Sequence, residues 1–157
     1  MTYIKKNAGF TLIELLVVIA IIGVLSAVVL ASLNTARSKG NDAAIQANLH
    51  TVQTQAEVYY GGVGGNSYGT QAWSSGAASS CTGGMFTDAT LTKALASADS
   101  TNGAGNVDCY ANGTTGYVIA VALTAVANTY WCVDSASRGE KVSAALPAQG
   151  APITACP

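Results

Sequence analysis

One carboxylate, Glu14, stands at the front of a run that carries no other charge from Leu15 to Ala36 and is mostly apolar as far as Leu33. At about 1.5 Å of rise per helical residue, such a run crosses a bilayer's hydrocarbon core. A charged side chain in that setting is costly unless something pairs with it. The natural partner is an N-terminal amine, and a cut between Gly9 and Phe10 creates one four residues before Glu14. Lys5 and Lys6 lie just ahead of the run, which by the positive-inside rule keeps the N-terminus cytoplasmic and exports the C-terminal body. An ordinary secretory signal is cut after its apolar stretch, here near Ala31-Ser32. That cut would discard Glu14 with the signal, so this reading is rejected.

The 157 residues make one domain plus an anchor, and only 10% of them are charged, well below the usual quarter or so. Together with a mean hydropathy of +0.34, this describes an apolar anchor on a neutral body rich in Ala, Gly, Ser and Thr. Beyond the first helix the cations are Lys93, Arg138 and Lys141, against Asp88, Asp99, Asp108, Asp134 and Glu140. Nucleic-acid binding needs clustered Lys and Arg to displace counterions, so no nucleic-acid partner is expected. Cys81, Cys109, Cys132 and Cys156 all fall in the exported part. An even number in an oxidising compartment reads as two disulfides with three possible connectivities. Pairing Cys81 with Cys109 and Cys132 with Cys156 is preferred because it closes two local loops, each restricting the unfolded chain by about 3–4 kcal/mol. A zinc site is disfavoured because no C-x₂₋₄-C pair exists.

The leader Met1-Thr2-Tyr3-Ile4-Lys5-Lys6-Asn7-Ala8-Gly9, followed by Phe10-Thr11-Leu12-Ile13-Glu14-Leu15-Leu16-Val17-Val18-Ile19, resembles the class III signal of type IV pilins and of type II secretion pseudopilins. The resemblance covers roughly the first 35 residues. It implies a leader over 1–9, a transmembrane and filament-core helix over 10–36, an amphipathic helix half over 37–60 and a globular head over 61–157. It implies that a prepilin peptidase cuts between Gly9 and Phe10 and methylates the new amine of Phe10. Glu14 is the assembly residue by the same resemblance, pairing with a Phe10 amine to fix axial register. The implied partners are other copies in a helical homopolymer, the peptidase, an inner-membrane assembly platform and, before assembly, the membrane itself. The implied fold is α+β, a long N-terminal helix packed on a small antiparallel sheet. The function implied is a pilus subunit for adhesion, motility or uptake, with a pseudopilin or minor pilin as alternative. A monomeric membrane-anchored binding module is the alternative from another class. Many pilins place a proline downstream of a glycine in this helix. Here Gly23 is present but Ala31 occupies the proline region, so the resemblance does not carry local melting of the helix over to this chain.

One helix is expected from Phe10 to about Tyr60, with Ile45, Leu49, Val52, Ala56 and Tyr59 forming a core-facing stripe. Arg37, Lys39, Asp42, Gln46, Gln53 and Glu57 are expected largely elsewhere. Gly61-Gly62-Val63-Gly64-Gly65 ends the helix. The stretch from Gly61 to Phe86 reads as a low-complexity connection, and Asp88 as the cap of a short helix to about Ala98 carrying Leu91 and Leu95. Strands are expected at Val107–Tyr110, Tyr117–Leu123 and Tyr130–Ser135, with a further one at Lys141–Leu146 before a Pro-bearing tail.

His50 is the sole histidine, and no serine sits in a nucleophile elbow, so no catalytic residue, enzyme activity or cofactor is expected. Asp99, Asn102, Asn106 and Asp108 gather oxygen donors around glycines, which is the weak candidate for calcium. Asn112-Gly113-Thr114 matches a glycosylation sequon.

Overall fold

Ile45, Leu49, Val52 and Ala56 recur at helical spacing, and burying that stripe is what gives the head its core. The structure, a computed structural model, describes residues 9–143, 146 and 155–157. The expected leader, with Lys5 and Lys6, lies outside them apart from Gly9, as does most of the Pro-bearing tail. The chain divides into two compact units between Arg37 and Ser38. Helix α1 runs without interruption from Leu12 to Gly61. Gly23 and Gly40 sit within it, each at a cost of about 1 kcal/mol relative to alanine. Its apolar N-terminal half is long enough to cross a membrane, and none of that window is buried.

From Ser38 onward, Ile45, Leu49, Val52 and Ala56 are fully buried and Tyr59 packs at their edge. Asp42 departs from expectation, because it lies buried one turn before Ile45 rather than on the polar face. Its Oδ1 accepts hydrogen bonds from the Thr124 N–H at 2.6 Å, the Thr124 hydroxyl at 2.8 Å and the Ala125 N–H at 3.2 Å. The Thr124 hydroxyl also donates to the Ser38 carbonyl at 2.8 Å. A buried carboxylate is tolerable only with such partners.

Five strands form an antiparallel meander in chain order: β1 Thr70–Gly76, β2 Val107–Asn112, β3 Gly116–Ala122, β4 Tyr130–Asp134 and β5 Gly139–Val142. The register sets Val107 opposite Val121, Cys109 opposite Ile119 and Ala111 opposite Tyr117. These side chains, with Val133, face the α1 stripe and the residues Leu91, Leu95 and Ala98 of helix α2, Ala89–Thr101. Burying each large aliphatic side chain is worth about 1.5–3 kcal/mol. The opposite face is covered too: Val118, Ala120, Cys132 and Val142 cluster with Leu146 and Cys156. Both faces of β3 are therefore buried, which explains its nearly continuous apolar sequence.

Helix α2 starts where Asp88 accepts hydrogen bonds from the Thr90 and Leu91 N–H groups at 2.9 and 3.0 Å. It runs to Thr101, so Asp99 lies in its last turn rather than in the following loop. β5 begins two residues before the expected Lys141 start and ends at Val142; of the rest of that span, residues 144 and 145 lie outside the described set. β1 was not expected at all. Gly69 and Gly84 let it pass the Gly84–Thr87 turn, because both have positive φ and a Cβ on either would overlap backbone atoms of the other's segment.

Candidate functional site

Gly9 and Phe10 precede the helix, and Phe10 is 88% exposed. A Cβ built on Gly9 meets nothing within 4 Å, so the chain's own packing does not demand glycine there. Thr11 caps α1. Its N–H donates to Glu14 Oε2 at 2.8 Å and its hydroxyl donates to the same oxygen at 2.8 Å. The Glu14 N–H in turn donates to Thr11 Oγ1 at 3.3 Å. This is a capping box, Thr-x-x-Glu, in which two otherwise unpaired helix donors are satisfied reciprocally. Sequence reasoning passed over Thr11, although the Thr11-Leu12-Ile13-Glu14 spacing ahead of an apolar run is the signal that finds it. Along the following turns every large apolar side chain from Leu12 to Leu33 is exposed. The helix passes Gly23 and Ala31 with no break.

The cysteines pair as Cys81–Cys109 and Cys132–Cys156, with Cα atoms 6.2 and 5.9 Å apart. The first bond joins the connection after β1 to the centre of β2, and the second ties the C-terminus to β4. Asp134 reinforces that tie. Its Oδ2 accepts the Cys156 N–H at 2.9 Å, its Oδ1 accepts the Ala136 and Arg138 N–H groups at 2.9 and 3.1 Å, and Arg138 Nε approaches Oδ2 to 3.6 Å.

Of the four oxygen-bearing residues considered for calcium, Asp99, Asn102 and Asn106 bond the backbone, whereas the buried Oδ2 of Asp108 has no hydrogen-bond partner among the described residues. Asp99 is buried, with Oδ2 accepting the Ala78 N–H at 2.8 Å and Oδ1 accepting the Gly105 and Asn106 N–H groups at 2.8 and 3.2 Å. Asn102 donates to the Ala122 carbonyl at 2.7 Å, Asn106 to the Ala104 carbonyl at 3.4 Å, and Asp108 sits buried on β2. Among the described residues, no three His, Cys, Asp or Glu side chains gather in one cluster. His50 lines an open groove of about 770 Å³ with Gln46, Gln53, Glu57 and Trp131. Across this groove Gln53 donates to the Arg138 carbonyl at 2.6 Å. Nearby, the Tyr68 hydroxyl donates to Glu57 at 2.9 Å, and burial with that bond pushes the Tyr68 phenol above its ordinary range. Asn112 of the sequon is exposed at the β2–β3 turn.

Residues 4–30 match the family model described as the prokaryotic N-terminal methylation motif. The chain is also 47% identical, over 64 residues, to a protein named type IV wide pilus major component PilA4 from Thermus thermophilus. That match covers 40% of this chain and 47% of the relative, so it spans about half the relative's length. No solved structure matches. Both findings support the resemblance to type IV pilins carried by Gly9 to Ile19.

Proposed function

We propose that this chain, which bears the N-terminal methylation motif and the long-helix-on-sheet fold of the type IV pilin family, is a structural subunit of a pilus-like surface filament. One observation carries the reading. A single helix exposes every apolar side chain of its first half, while the residues of its second half form the core of a head. Such a surface needs lipid or other apolar helices around it, and a filament core supplies the second. In this reading residues 10–36 form the membrane and filament-core helix, 37–60 the helix half that joins the head, and 61–157 the rest of the head.

A prepilin peptidase cuts between Gly9 and Phe10 and methylates the new amine. The precursor sits in the inner membrane with its N-terminus cytoplasmic and its head exported, because Lys5 and Lys6 precede the span. An assembly platform then moves the subunit from lipid into the filament, and the apolar surface stays covered throughout. Apolar helices slide past one another easily, whereas an amine–carboxylate pair in low dielectric fixes their axial register. Glu14 supplies the carboxylate and Phe10 the amine. Contacts of this head-to-tail kind do not close, so they extend into a filament.

Intact-mass spectrometry of filaments sheared from the native cells tests this. The expected species starts at Phe10, is one methyl group heavier than the unmodified chain, and has four cysteines oxidised. Finding the chain only in the membrane fraction would move it to a pseudopilin, a minor pilin or an anchored module.

A further inference from the structure

We propose that the groove between α1 and the β4–β5 end of the sheet is a binding site for a neutral oligosaccharide, with Trp131 as its platform. The proposal goes beyond the pilus-subunit reading and does not depend on it. A missing side chain opens the groove. Gly139 stands opposite Val133 in the β4–β5 ladder, and Val133 faces the α1 stripe, so Gly139 looks the same way with nothing to fill the space. A Cβ built there lies 3.5 Å from the Trp131 indole, in ordinary van der Waals contact, and a longer side chain would occupy the groove beside that ring. Glycine leaves instead an open volume of about 770 Å³, bordered by Gln46, His50, Gln53 and Glu57 from α1 and by Tyr117 and Trp131 from the sheet. That is the size of a site for a drug-sized ligand, such as a short run of sugar rings.

The polar groups decide the class of ligand. Arg138 turns its guanidinium to Asp134 and to the Cys156 carbonyl, so it offers the groove no fixed cation for a phosphate or sulfate. Gln53 donates Nε2 to the Arg138 carbonyl at 2.6 Å, which leaves its Oε1 as an acceptor. The Tyr68 hydroxyl takes one oxygen of Glu57 at 2.9 Å, which leaves the other. Tyr117 is 1% exposed, lines the groove, and has no hydrogen bond to its hydroxyl from the described residues. A phenol so placed calls for a partner from within the groove. Sugar hydroxyls both donate and accept, so they satisfy the two acceptors and the phenol together. The polarised C–H face of a sugar ring meets the negative face of an indole. An apolar peptide would instead bury Gln53 and Glu57 without partners.

The test is a titration of the full chain, held in a zwitterionic detergent that carries no sugar, with maltotriose, chitotriose and mannotriose. Choline and inorganic sulfate are the comparison probes. At least one trisaccharide is expected to saturate, shifting the Trp131 indole N–H resonance along the same curve and receiving magnetisation at its ring protons. Trp73→Phe identifies that resonance. Trp131→Ala is expected to weaken binding severalfold. Gly139→Leu, on an exposed strand position, is expected to abolish it while leaving the melting temperature unchanged. No saturation by any of the three trisaccharides overturns the proposal. A sugar that saturates without moving the Trp131 resonance also overturns it, by placing the site elsewhere, whether or not either variant folds. Choline or sulfate binding at Trp131 in place of the sugars overturns it too, by assigning the groove to an ion.

Discussion

Glu14 and Asp99 show how the same chemical group serves two ends. Glu14 is exposed at the start of α1, where, among the described residues, Thr11 holds it. Glu14→Leu is expected to leave cutting at Gly9/Phe10 intact and to abolish filaments, read by N-terminal mass and by electron microscopy of sheared material. Abundant normal filaments from that variant would contradict a register role. Asp99 instead spends both oxygens on the backbone of Ala78, Gly105 and Asn106. Removing such an acceptor leaves buried donors unpaired, at about 1–3 kcal/mol for each group stranded. Asp99→Ala should therefore lower the melting temperature of the head markedly. Added calcium, or its chelation, should leave that temperature unchanged, because N–H donors already occupy the carboxylate. A calcium-dependent rise would show that the loop reopens around a metal.

At the scale of elements, legibility in the sequence followed how local the cause was. The stripe on α1, the Asp88 cap on α2 and the apolar run of β3 are written in neighbouring residues, and all three lie where periodicity and capping put them. β1 is not written that way. Thr70–Gly76 has no alternating apolar pattern, and its pairing with β2 shifts register between Gln71 and Ser74. It is held from a distance, by Gln71 Oε1 accepting the Thr82 and Gly83 N–H groups at 2.8 and 2.6 Å. Asp42 was misread for the same reason, since its partners at Thr124 and Ala125 come from the β3–β4 connection. Asp42→Ala is expected to loosen this junction, with faster hydrogen exchange at Thr124 and Ala125 while the β3 core amides stay protected. Gly9, Phe10 and Glu14, the residues proposed for processing and assembly, were singled out by the motif, and the Thr11 cap was passed over although its spacing from Glu14 is local.

For the whole head, the two disulfides close loops of 28 and 24 residues. Each is expected to contribute about 3–4 kcal/mol by restricting the unfolded chain. Reduction should lower the denaturation midpoint of the head, and replacing both cysteines of one pair by serine should reproduce part of the loss. The head should also weaken in alkali. Burial and Glu57 raise the phenols of Tyr68 and Tyr117 above their ordinary value of 10.0. Their contribution is complete below that value and is lost as pH climbs through it toward their folded-state values, because the unfolded chain ionises first. Tyr68→Phe is expected to flatten part of this alkaline fall in a pH series of melting curves. The exposed apolar half of α1 has no comparable support within one copy, so its order in use depends on what surrounds it.

That dependence makes cryo-electron microscopy of filaments sheared from the native cells the first measurement to make. The expected map shows this chain, identified from side-chain density, beginning at Phe10. Its helix from Phe10 to about Leu33 lies in the filament core, and Glu14 is within ion-pair distance of a Phe10 amine. Filaments built from another protein, with this chain retained in the membrane fraction, would contradict it.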